Sequence, residues 1–380
     1  MKPVYFPWIV IVFSFANYLF ADVVVIKQGE NELTLTGEIL VEAQNDNGLL
    51  FQTNDGKIWP LQPESIVSIK NDDQAIASVS KKEMANRLKR ELGDSFKVQL
   101  ADNFVIAYNT EKAYARWVAG LYRRLEKSFK SYWTRKSKFK LSNKPPFPLG
   151  VIIFRTQTEY LRFMKGDLGG VNPNMLAYYN LETNLVVMYD ITADELPRDA
   201  QLNDRRITDV LNTPRAIPMV ATIIHEGTHQ LMFNYGMQTR FSDTPLWLNE
   251  GLAMYFETPD LSTTRGWRTI GIVNPVRLKQ FLSFINSRPP NSLEMMLSSD
   301  EHFRNEEALD YYAQAWAFSY FLLAKHKKKF VQYLKHMSKK PRLIYDTPEQ
   351  RIEEFQSFFD VTLDQLDREF VQFARGLDIR

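Results

Sequence analysis

Between Pro218 and Gly236 the chain spells one helix around His225-Glu226-Gly227-Thr228-His229, and no other segment limits the fold as much. Pro218 suits the first turn of a helix and Gly236 its end. Val220, Ile223, Ile224, Leu231 and Met232 supply the packed side. The two histidines lie one turn apart on one face and can grip one metal ion, with Glu226 beside it. Zinc takes neutral imidazole nitrogens at about 2.0–2.1 Å, a reach this spacing allows. The chain has five histidines in all, so two of them flanking a glutamate in this way is a poor match to chance. A histidine pair without metal is the plain alternative.

A catalytic zinc needs a third protein ligand and an open position. The distant histidine of an HExxHxxGxxH pattern is absent, because Met232 and Tyr235 stand at its Gly and His positions. There is no cysteine, which removes thiolate ligands, catalytic thiols and disulfides. A carboxylate remains. Asp243 falls in a loop beside Pro245, and Glu257 lies two turns beyond the preferred candidate, Glu250. Leu248, Leu252, Ala253 and Phe256 make the Glu250 segment an amphipathic, packed helix, which holds a ligand more firmly than a loop. Asn249 and Glu257 suit groups that orient metal ligands. A helix cap and a solvated carboxylate explain them equally well.

The stretches HEGTHQ (225–230) and WLNEGLA (247–253) resemble the gluzincin zinc peptidases, the clan of thermolysin and the aminopeptidase-N-like enzymes. The wider pattern, through to Tyr312-Ala313-Gln314-Ala315-Trp316, is more similar to exported bacterial proteins with a peptidase-MA-like domain of unsettled function, over about residues 96–375. The resemblance implies His225, His229 and Glu250 as ligands of Zn2+ and Glu226 as general base. Zinc lowers the pKa of bound water to about 7, and Glu226 would take the proton and later pass it to the leaving amine. In the clan a downstream tyrosine often joins zinc in stabilising the carbonyl oxygen. Tyr311 and Tyr312 are the candidates, Tyr312 aligning better, with aromatic core as the alternative for either. The resemblance further implies an edge strand that pairs with substrate backbone, a role that chain order assigns to Leu185–Tyr189, and puts Asn274 and Arg277 near the substrate. Gly170–Glu182 lacks the Gly-x-Met-Glu-Asn type motif with which aminopeptidases of the clan hold a free amino terminus. Endopeptidase or other amidohydrolase chemistry therefore stays open.

The expected fold class is α+β: a gluzincin-like core, with a mixed sheet plus active-site helix and then a helical subdomain, preceded by a small all-β barrel-like domain. Lys2 and the apolar run Val4–Ala21 read as a secretory signal peptide over 1–21, with an uncleaved membrane anchor as the alternative. Short runs split by turn residues, among them Asn54-Asp55-Gly56, predict about five strands over 22–75. Residues 76–95 read as a linker carrying a helix, 96–236 as the α+β catalytic part, and 237–380 as the helical part that carries the third ligand. Tyr114, Trp117, Val118, Leu121, Leu125, Phe129 and Tyr132 set the core side of a helix over 111–133. Arg123, Arg124, Lys127, Lys130, Arg135, Lys136, Lys138 and Lys140 face the other way and read as a solvated face, with a polyanion or membrane-surface site as the alternative.

The net charge of +2 gives no global case for nucleic acid or membrane partners. The expectation is an exported zinc metallopeptidase acting on a peptide or protein, in the bacterial periplasm, cell envelope or outside the cell, with envelope or membrane-surface association through the N-terminus. Its rivals are a non-catalytic envelope binding protein that keeps the peptidase fold, and a zinc amidase acting on cell-wall peptide.

Overall fold

A computed structural model describes residues 20–42, 48–75, 77–193, 203–261 and 267–378. The chain forms two compact units, Met1–Asn54 with Trp59–Ala77, and Asp55–Ile58 with Ser78–Arg380. The expected signal segment lies outside the described residues, apart from 20 and 21, which open the first strand. No helix among the described residues is long and apolar enough to cross a membrane.

The small unit is built from β1 (Phe20–Gln28), β2 (Asn31–Glu42), β3 (Leu49–Thr53), β4 (Ile58–Leu61) and β5 (Ile66–Ala75). Its apolar face gathers Val24, Ile26, Leu35, Leu49, Phe51 and Leu61. The strands are the five expected, but they do not close. Their order is β4-β3-β2-β1-β5, an open sheet rather than a barrel. Closure would need β4 to pair with β5. β4 is four residues long and contains Pro60, which has no N–H to give a ladder. β5 runs antiparallel to β1 instead, with Val23 opposite Lys70 and Val24 opposite Ile69.

In the large unit, Ser80 and Glu83 form a capping box that opens α1 (Lys81–Leu92). Met84 and Leu88 of this helix are buried in the main core, so the expected linker helix is a packed element. A hairpin follows, β6 (Lys97–Ala101) and β7 (Phe104–Tyr108), then α2 (Lys112–Ser131), which ends in a π turn over Tyr132–Lys136. β8 (Leu149–Phe154) leads through the Thr156–Glu159 capping box into α3 (Gln157–Leu168). β9 (Ala177–Tyr179) and β10 (Leu185–Tyr189) complete a mixed sheet of order β6-β7-β8-β10-β9. β10 runs parallel to β8 on one side and antiparallel to β9 on the other.

The role expected for Leu185–Tyr189 as an edge strand is therefore wrong: β10 is interior and β9 is the edge. All five residues of β10 are buried, and such an unbroken apolar run belongs to a strand covered on both faces.

The rest is helical: α4 (Asp204–Leu211), α5 (Ile217–Asn234), α6 (Leu246–Phe256), α7 (Pro275–Phe284), α8 (Ser292–Ser298), α9 (Ala308–Lys325), α10 (Lys327–Met337), α11 (Pro348–Gln356) and α12 (Leu363–Arg375). α4 forms in a polar, charged stretch of the chain. Asn203 caps it, and it buries only Ile207 and Leu211, too few apolar positions to show a period.

Candidate metal centre

Each residue of the 225–230 stretch has its own direction. His225, Glu226 and His229 line a cleft of about 370 Å³, together with Glu250, Asn249 and Tyr312. Gly227 turns the other way, toward α2, where a Cβ would come within 2.9 Å of the Tyr122 ring. Tyr122 in turn donates its hydroxyl to the Ile223 carbonyl at 2.9 Å. Gln230 is fully buried, and its amide nitrogen donates to the carbonyls of Gly150 at 3.0 Å and Asn184 at 2.9 Å. One face of α5 is thus open to the cleft, while the others are tied to α2 and the sheet.

α6 brings in the carboxylate. Trp247 anchors it, stacked at 6.1 Å on Tyr333 and edge-on to Phe355. At Gly251 the helix meets α9 so closely that a Cβ would lie 2.3 Å from Ser319 Oγ and 2.6 Å from the Ala315 carbonyl oxygen. Gly251→Ala is expected to push the helices apart and to lower the unfolding free energy by about 1–3 kcal/mol, read in a urea titration. A variant as stable as the native protein would mean that α6 and α9 separate freely.

The ligand atoms of His225, His229 and Glu250 all lie within 4.8 Å of one another. His225 Nε2 is 3.1 Å from Glu250 Oε2, His229 Nε2 is 3.0 Å from His225 Nε2, and His229 Nε2 is 3.5 Å from Glu250 Oε1. Donors at about 2.0–2.1 Å from a tetrahedral ion sit about 3.3 Å apart, close to these separations, so the three atoms could hold one small cation. Burial would depress the His225 pKa, but hydrogen bonds to Glu250 and Glu257 and the charges of Glu250 and Glu226 outweigh it and raise the value to about 10. Burial would raise Glu250, but the two histidines hold it well below the ordinary carboxylate range.

Outside the three donors a further layer fixes their orientation. His229 Nδ1 meets Asn249 Oδ1 at 3.1 Å, and His225 Nδ1 meets Glu257 Oε2 at 3.3 Å. Both Nε2 atoms are thereby turned toward Glu250. Glu257 is itself held by Asn274 Nδ2 at 2.8 Å and Arg277 Nε at 3.1 Å. Asn274 and Arg277, expected near the substrate, hold the carboxylate behind His225. Asp243, the loop alternative to Glu250, pairs with Arg351 at 2.5 Å and lies outside the cleft lining.

Glu226 is raised by burial, against the pull of the two histidines. Its Oε2 accepts the backbone N–H of Tyr179, on the edge strand β9, at 2.9 Å. Nothing in the sequence signals that link. The two tyrosine candidates separate. Tyr311 is fully buried, with its ring stacked on His302 at 4.5 Å. Tyr312 is partly exposed and lines the cleft. Burial, and then the charges of Glu250 and Glu226, hold its hydroxyl far above the usual range, so it keeps its proton. The remaining histidines face carboxylates elsewhere: His302 meets Glu307, His326 meets Glu369, and His336 meets Glu354.

Chemically, the cleft offers three donors for a cation, one carboxyl group able to exchange a proton, and one protonated hydroxyl. No curated protein matches the chain. Residues 219–343 match a family described as a protein of unknown function (DUF1570), which is peptidase-MA-like. The match begins in α5 and ends after α10, so it takes in every residue of the donor set.

Proposed function

We propose that the protein is an exported, zinc-dependent metallopeptidase of gluzincin type. The observation that carries this reading is the meeting of His225, His229 and Glu250 in one cleft that Glu226 and Tyr312 also line. His225, His229 and Glu250 would hold Zn2+, which supplies Lewis acidity and a water acidic enough to react at neutral pH. Asn249 and Glu257 keep both imidazoles turned with Nε2 toward Glu250, where these three residues would hold the ion. Glu226, with affinity for a proton increased by burial, takes one from the attacking water and gives it to the departing amine. Tyr312 donates its hydroxyl to the carbonyl oxygen as charge builds there.

β9 supplies the strand against which a peptide backbone would lie, because residues 174–179 line the cleft and, among the described residues, β9 has only β10 as a ladder partner. Glu226 and Glu250 are the only acidic groups among the described lining residues, and both are engaged. A free amino terminus has no third carboxylate to hold it, so an internal peptide bond suits the cleft better than a terminal one. Export rests on the charge and apolar run of the first 21 residues.

The test pairs metal analysis with a library of blocked peptides. Purified native protein is expected to hold one zinc per chain after dialysis. It should cleave some library members, lose that activity to a chelator and regain it with zinc. Protein without stoichiometric zinc would sink the site assignment. Zinc with no cleavage of any amide favours the binding protein, and cleavage confined to cell-wall peptide favours the amidase.

A further inference from the structure

A second concavity, a groove of about 980 Å³ along α2, shares no lining residue with the metal cleft. Six of its lining residues are basic: Arg116, Arg123, Arg124, Lys127, Lys130 and Arg135. They recur at helical spacing along one side of α2 and its π turn, and at about 1.5 Å per residue the row is about 28 Å long. Three acidic residues share the lining. Asp204 is taken by Arg116 at 2.6 Å. Glu126 is buried, accepting Asn103 Nδ2 at 2.6 Å and the Tyr235 hydroxyl. Asp102 is exposed in the β6–β7 turn, where its backbone carbonyl accepts Lys81 Nζ at 2.5 Å.

The cations differ in how they are held. Lys130 donates to the Asn143 carbonyl at 2.8 Å and lies over the Tyr235 ring, neutral partners that fix it without cancelling its charge. Arg124 lies over Trp267 and donates to the Asp260 carbonyl at 2.9 Å, with the Asp260 carboxylate also acting on it. Arg123, Lys127 and Arg135 are exposed. Arg123 and Lys127 are four apart, and Lys127 and Lys130 three apart, so like charges stand in consecutive turns where they repel. An anion in the groove would relieve that repulsion.

We propose that this groove binds a single linear chain of phosphate groups. Its concavity suits one strand, whereas a bilayer meets a flat or protruding face. Base-bearing strands gain little from it, because Trp117, the one aromatic residue in the described lining, is already stacked on Tyr114. The affinity then comes from guanidinium and ammonium groups meeting phosphates and releasing counterions.

The full chain should be titrated with long and short inorganic polyphosphate at several salt concentrations. Long chains, able to run the length of the groove, are expected to bind at least about tenfold more tightly than triphosphate. The combined variant Arg123→Glu, Lys127→Glu, Arg135→Glu should lose more than about tenfold in affinity at 50 mM salt, with the slope of log K against log salt flatter by about 2. An equally charged change on exposed α1 residues, Lys82→Glu, Lys89→Glu, Arg90→Glu, should leave binding within about twofold. Replacing the same three groove residues by glutamine tests the groove again with a milder change, and circular dichroism checks both folds. Absence of binding, equal loss from the α1 variant, or equal affinity for vesicles of anionic lipid would each overturn the proposal.

Discussion

Glu226→Gln is expected to slow hydrolysis by about 10² to 10⁴ while leaving zinc content unchanged. In free energy this is about 3–5 kcal/mol of lost transition-state stabilisation. Glutamine keeps the shape of the side chain and an oxygen that can still accept the Tyr179 N–H now donated to Glu226 at 2.9 Å. It cannot accept a proton. The donor set of His225, His229 and Glu250 does not include Glu226, so the ion should stay. The comparison therefore separates proton transfer from metal binding. The measurements are zinc per chain and the initial rate on whichever library peptide the native protein cleaves best. Loss of zinc from the variant would make Glu226 a ligand. An unchanged rate with zinc retained would give the proton to another group and remove the reason for proposing gluzincin chemistry.

How much of this can be read from the chain depends on the distance over which each feature is encoded. His225, Glu226 and His229 are one helical turn, so spacing alone brings them together. Glu250 needs one more step, the packed character of residues 246–256, and the structure puts its carboxylate beside both imidazoles. The groups behind the site are only half legible. Asn249 and Glu257 stand out as polar residues in an apolar helix, but nothing local shows that Asn274 and Arg277 turn to Glu257 rather than to a substrate. The choice between Tyr311 and Tyr312 turns on the rotation of α9, which adjacent positions cannot reveal. Strand pairing is the least legible. The runs that form β1 to β5 are apparent, but their closure depends on which edges meet, and Pro60 is the single local warning. β10 likewise carries its interior position in five consecutive apolar residues, a local sign that conflicts with the edge role implied by chain order.

Asp243→Ala is expected to cost about 3 kcal/mol of stability, and a fall in Tm of roughly 5 °C, without loss of metal. Asp243 is 2% exposed and accepts Arg351 Nη2 at 2.5 Å, Arg351 Nε at 3.3 Å and the Asp346 N–H at 3.1 Å. Removing it strands part of a buried ionic network, which for an isolated pair costs about 3–5 kcal/mol. The lower figure applies because the cations keep other partners: Arg351 retains Asp300 at 3.2 Å, and Lys340 retains Glu354 at 2.7 Å and Asp346. The network also reaches α6. Its N-cap residue is Pro245, which offers no side-chain cap, and Asp300 Oδ1 accepts the Leu246 N–H at 2.9 Å instead. Arg351 joins Asp300 to Asp243, so the start of the helix that carries Glu250 is steadied through this pair. Were Asp243 a metal ligand, its removal would empty the site at temperatures where the protein is still folded. If it is an anchor, zinc per folded chain at 20 °C should equal that of the native protein while the urea midpoint falls. The double variant with Arg351→Met should be more stable than the sum of the two single losses, because no buried guanidinium is then left short of its carboxylate. Strict additivity in that cycle would count against the coupling between Asp243 and Arg351.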